Sequence, residues 1–192
     1  LLMRNVMIDV DIPAPRDPFD VALKSWSELY QFDSRATPFQ RVKVRGTVIY
    51  GDARGVFIMD HGRGIRVSPF EPTKVEFGEV VEVVGYPEIG GSAPLLREAI
   101  LRKTGEQADP QPRTLDGSEW MQENLDSTLV RITATLMGIH SEPDARVLEM
   151  SVRSHLFLAR LPDIKESVSL RIGSQLALTG VYVGKAATWS ED

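Results

Sequence analysis

The chain has 192 residues, 42% of them hydrophobic, no cysteine and a formal net charge of −5. That length holds one large core or two small ones of about 70 to 90 residues each. The missing cysteines exclude a disulfide framework and any thiolate metal site. The negative balance excludes a global attraction to DNA or to an acidic membrane surface, though a local basic stripe stays compatible with it.

No apolar run approaches the roughly 18 residues that span a bilayer. The opening Leu1-Leu2-Met3-Arg4-Asn5 has neither an initiator Met nor a signal-peptide apolar region, so the chain reads as a segment of something longer. Residues 6–12 alternate and are rich in β-formers, which predicts one short strand with no hairpin partner nearby. Pro13, Pro15 and Pro18 then stiffen a connector. Residues 20–32 carry apolar side chains at a rough helical spacing, which predicts a short helix whose Trp26 and Phe32 cover a barrel end.

The stretch from Arg41 to Tyr50 organises the rest. Val42, Val44, Val48 and Tyr50 share one parity and are expected to face a core, while Arg41, Lys43, Arg45 and Thr47 face water. Gly46 keeps the inward parity without a side chain to pack, as at a bend or bulge. Further strands are predicted over 56–59, 65–68, 80–86 and 95–103, with Asp60-His61-Gly62-Arg63-Gly64 as a tight hairpin. Five short strands with a longer link after the third suggest a small Greek-key barrel.

Residues 104–113 form a polar linker and 116–124 a short helix in this reading. The pattern then restarts: strands are expected over 129–136, 147–152 and 155–161, and a unit over 173–182 repeats the one over 78–86. Gly78 and Gly85 are matched by Gly173 and Gly180 at an offset of 95 residues, which marks an internal duplication. The second copy lacks a fifth strand after Gly184, and residues 6–12 are expected to supply it, in cis or from a neighbouring molecule. The fold expected is therefore all-β: two tandem OB-like five-stranded Greek-key barrels with short linking helices. Residues 1–38 are the strand and connector, 39–105 the first barrel, 106–125 the linker and 126–192 the second barrel.

The stretch Arg41-Val42-Lys43-Val44-Arg45-Gly46-Thr47-Val48, the Asp60 to Gly64 turn, the run Gly78-Glu79-Val80-Val81-Glu82-Val83-Val84-Gly85 and Pro94-Leu95-Leu96 resemble tandem OB-like modules of the N-terminal extracytoplasmic sensor region of bacterial sensor histidine kinases. The resemblance implies a non-catalytic, periplasmic input module for signal transduction in a two-component system, attached to a membrane through segments outside this chain. It implies no catalytic residue and no cofactor. An unknown small molecule or protein would be the ligand, and a homodimer is compatible with it.

From the residues themselves, the face of the second and third strands and the adjoining loops is the expected binding surface. Tyr50, Arg54, Phe57, Met59, Arg66 and Ser68 are its candidates in the first copy, and Glu149 and Arg153 in the second. Exposed aromatics interleaved with Lys and Arg are sparse there, which weighs against nucleic acid. The alternative kept open is a single-stranded nucleic-acid-binding OB-fold protein. His61, His140 and His155 lack metal-site spacing, and Glu142 and Asp144 around Pro143 read as a turn.

Overall fold

The strictly alternating stretch becomes β1 (Val42–Asp52), the long strand from which a closed barrel is built. A computed structural model describes residues 4–5, 7–11, 15–30, 40–52, 55–88, 93–116, 125–143, 145–162 and 170–184. β2 (Gly55–Asp60), β3 (Arg63–Pro69), β4 (Glu79–Glu88) and β5 (Leu95–Gln107) complete the barrel in the order β1-β2-β3-β5-β4. Every pairing is antiparallel except β3 with β5. Val42, Val44 and Val48 enter the core with Val56, Ile58, Ile65, Val67, Val81, Val83 and Leu96. Tyr50 does not. The register slips between Val48 and Tyr50, and that bulge turns Tyr50 outward. Gly46 marks no bend: a Cβ there would lie 3.0 Å from the Trp26 ring, so the missing side chain makes room for tryptophan.

Trp26 belongs to α1 (Trp26–Tyr30), which starts on a capping box. The Glu28 carboxylate accepts from the Ser25 N–H at 2.7 Å, and the Glu28 N–H approaches Ser25 Oγ at 3.4 Å. Trp26 and Leu29 cap the barrel core, and Trp26 Nε1 donates to the Arg45 carbonyl at 2.9 Å. Phe32 lies outside the described residues. The segment before the helix is stitched to the barrel: Arg102 lies 4.0 Å over the Phe19 ring, and the Lys24 N–H donates to the Lys43 carbonyl at 2.8 Å.

A second sheet holds β6 (Arg113–Leu115), β7 (Leu129–Glu142), β8 (Ala145–Val152), β9 (His155–Pro162) and β10 (Gln175–Val181). Its order is β10-β7-β8-β9, with β6 parallel on β7. Ala134, Leu136, Leu148 and Met150 form its central cluster. The short β6 was expected as linker; Leu115 buries beside Leu125, Val130 and Ile132 and so ties that segment down. The helix expected over 116–124 lies outside the described residues, apart from Asp116.

The duplication is visible in backbone detail. Gly78 (φ 87°) and Gly173 (φ 89°) occupy the same left-handed turn. Their N–H groups donate to the Val48 and Leu136 carbonyls at 2.9 and 2.8 Å. Gly85 then pairs with Val42, and Gly180 with Val130. A second register slip, between Leu136 and Gly138, matches the one in β1. The copies differ at their closure. A Cβ on Gly85 would meet Ala99 of β5 at 3.2 Å, whereas one on Gly180 would meet nothing within 4 Å.

Among the described residues of the stretch expected to fill that place, Met7, Ile8 and Val10 are exposed and belong to no strand, so within this chain residues 7–11 do not pair with the second sheet. The segment after them is tethered to the first barrel through Asp17, Phe19 and Lys24. Among the described residues the second body is thus an open sheet, and the all-β reading stands at that coarser level.

The two bodies share an apolar junction. Ile49, Phe57 and Met59, on the outer face of β1 and β2, pack against Leu129 at the start of β7, with Val181 beside them. Gly64 lies so close to Ser127 that a Cβ would overlap its carbonyl. The buried turn around Ser127 is hydrogen-bonded throughout: Ser127 N–H donates to the Tyr182 carbonyl at 2.8 Å, and Asp126 Oδ1 accepts from the Gly184 N–H at 3.0 Å.

Candidate functional site

β2 reads Val56-Phe57-Ile58-Met59 without alternation because both of its faces are buried. Val56 and Ile58 fill the barrel, and Phe57 and Met59 fill the junction at 5% and 9% exposure. Arg66 pairs with Phe57 in register and sits half-buried. Burial lowers its pKa, while Asp126 and Asp52 pull the other way. The Tyr50 hydroxyl donates to Asp52 at 3.0 Å, and its ring lies 6.3 Å from that of Phe57. Ser68 is half-buried further along β3, and Arg54 lies outside the described residues. The structure therefore brings Tyr50, Phe57, Met59 and Arg66 together, with Phe57 and Met59 buried against Leu129 of the second sheet and Tyr50 left exposed. Phe57 and Met59, expected on a binding face, lie in the junction.

In the second sheet, Glu149 Oε1 and His140 Nε2 are hydrogen-bonded at 2.7 Å, and Arg153 occupies the β8–β9 turn at φ 53°. These residues lie apart from the first group, so the eight candidates do not form one site.

The basic row on β1 is engaged within the chain. Arg41 stacks 5.2 Å over Tyr86, Lys43 Nζ donates to the Phe19 carbonyl at 2.8 Å, and Arg45 pairs with Glu106. Arg45 nevertheless borders a concavity between the α1 segment and the β2–β3 turn, a groove of about 910 Å³. Lys24, Arg45 and Arg63 bring three cations to its lining, against a single carboxylate, Asp60, among the described residues. Ser25, Ser27 and Thr47 add hydroxyls, and His61 adds an imidazole bonded to Asp60 at 2.8 Å. His61 (φ 47°) and Gly62 (φ 76°) are the two left-handed residues of a tight hairpin, which sets Arg63 at the rim. Trp26 is committed to the barrel core and leaves no open ring for a base to stack on.

Sequence reasoning missed this groove because Lys24 and Ser25 come from the connector and Arg63 from a hairpin. The only signal was Gly46, whose missing side chain admits the tryptophan that anchors α1. Among the described residues no group of three His, Asp or Glu is placed to hold a metal, and no helix is long and apolar enough to cross a membrane.

No family model and no curated protein matches the chain. Solved structures do. A murine DNA-binding protein bound with double-stranded DNA aligns at 8% identity and TM-score 0.38, over 72% of this chain and 83% of that one. The Ifi202 HINa domain in complex with 20-base-pair double-stranded DNA aligns at 8% identity and TM-score 0.34, over 72% and 85%. A third structure, described as structural mimicry for functional antagonism, aligns at 6% identity and TM-score 0.34, over 75% and 85%. None is described as a sensor kinase region, and two are described with DNA. The reading as an input region of a sensor histidine kinase is corrected on that finding, as is the expectation that nucleic acid is not a partner.

Proposed function

We propose that the chain is a non-catalytic nucleic-acid-binding protein made of two OB-like units, over 39–105 and 126–192, that grips the phosphate backbone in the groove beside α1. The observation that carries this reading is the convergence of Lys24, Arg45 and Arg63 on one concave surface whose lining includes one carboxylate, Asp60, with Arg45 also paired to Glu106 outside it. Phosphate oxygens accept from such cations at any base sequence, and hydroxyls such as those of Ser25 and Thr47 add positioning contacts. With Trp26 buried and Phe57 in the junction, base stacking has little to work with, so recognition rests on charge and shape.

The net charge of −5 opposes long-range attraction, so binding is local and salt-sensitive. Three neutralised phosphates give a roughly 20-fold loss of affinity for a single strand, and about 40-fold for a duplex, between 50 and 200 mM salt. Fluorescence anisotropy with a labelled oligonucleotide, single- and double-stranded, at those two salt concentrations is the test. Lys24→Gln and Arg63→Gln are each expected to weaken binding and to reduce the log–log salt slope by about one. Absence of binding to both forms at 50 mM salt, or binding indifferent to both substitutions, would overturn the proposal.

A further inference from the structure

The internal repeat gives every residue of the junction a counterpart in the second sheet. Ile49 is the bulged residue of β1, and Met137 is the bulged residue of β7. Phe57 stands opposite Tyr50 just past the first bulge, and Glu149 stands opposite Gly138 just past the second. Phe57 pairs onward with Arg66, and Met59 with Gly64; Glu149 pairs with Leu158, and Ser151 with Leu156. In the barrel this face is covered by the second sheet. In the second sheet it is open: Met137, Leu156 and Leu158 are 50%, 75% and 69% exposed. Three large apolar side chains therefore share one exposed face of the sheet.

The cover itself has a counterpart too. What seals the barrel face is the corner where β7 begins and β10 ends, Leu129 beside Val181, which pair in register. The matching corner of the barrel is where Arg41 precedes β1 and stacks on Tyr86 of β4. Arg41 and Glu149 thus stand in the places of Leu129 and Phe57, so an apolar contact becomes a pair of opposite charges. Glu149 holds His140 with one oxygen and keeps acceptor capacity for a guanidinium.

We propose that copies of this chain associate head to tail, the Arg41–Tyr86 corner of one molecule seating on the Met137, Glu149, Leu156 and Leu158 face of the next. Leu156 replaces Gly64, so the intermolecular contact is made by side chains and is shallower than the internal one. A heterologous contact of this kind leaves one face of each molecule unmatched and so builds rings or open chains of more than two copies. The proposal is independent of nucleic-acid binding.

Sedimentation velocity of the full chain over a concentration series tests it, without nucleic acid. The weight-average mass is expected to climb from 21.4 kDa past that of a dimer. Arg41→Glu and Glu149→Arg should each hold the protein at monomer mass with unchanged circular dichroism, and mixing the two variants should restore the chains. Leu156→Ser with Leu158→Ser should abolish association as well. A wild-type protein that stays monomeric, that stops at a dimer, or whose association survives both charge reversals would overturn the proposal.

Discussion

Gly78 and Gly173 hold the same left-handed turn, yet an alanine at each is expected to cost different amounts. At Gly173 the new Cβ meets nothing within 4 Å, so only backbone strain is added, about 1 kcal/mol. At Gly78 the Cβ would lie 2.7 Å from the Ala108 carbonyl oxygen, and relieving that overlap adds about 1 to 2 kcal/mol more. Urea denaturation of Gly78→Ala and Gly173→Ala checks the order, and equal losses would contradict it. Both glycines are legible in the sequence from their repeat; the difference between them is not, since it depends on Ala108, just past β5, which among the described residues has no counterpart beside Gly173.

Charge at the element scale is arranged across the β4–β5 ladder. Glu79 accepts from Lys103 Nζ at 2.8 Å and from the Glu76 N–H at 2.8 Å, and these bonds lower its pKa from the usual 4.5, the lysine first. A carboxyl whose pKa is lower folded than unfolded stabilises the protein above the unfolded value and loses that contribution as pH falls through the folded one. Glu79→Gln is therefore expected to lower stability at pH 7 and to flatten its decline below pH 4.5, measured as the urea midpoint against pH. The strand β2 makes the other element-scale case. An open-face aromatic would cost under about 0.5 kcal/mol to remove, whereas Phe57→Ala is expected to cost about 3 kcal/mol because the ring fills the junction. The uninterrupted apolar run over 56–59 was the sign of two buried faces.

For the whole molecule, the junction decides whether barrel and sheet behave as one body. Leu129 packs on Ile49, Phe57 and Met59, and a carboxylate there would be buried without a partner, at a cost of several kcal/mol. Leu129→Asp is expected to split a single thermal unfolding transition into two, with the closed barrel melting last. Calorimetry that still shows one transition at an unchanged midpoint would mean the junction contributes little. The same substitution leaves Lys24, Arg45 and Arg63 in place, so oligonucleotide binding should survive it.

Alternation along residues 41–50 and the glycines repeated at an offset of 95 determined, by themselves, an all-β chain with a doubled strand plan, because strand period and turn chemistry are local properties. The tertiary structure alone decided which faces are open. Phe57 and Leu129 are far apart in the chain, and nothing in the neighbourhood of either shows that they meet. The groove beside α1 has the same origin, joining a connector to a hairpin across the barrel end. Burial between bodies is set by non-local packing, and so the expected binding face became a seam while the cations of the connector and the hairpin came together.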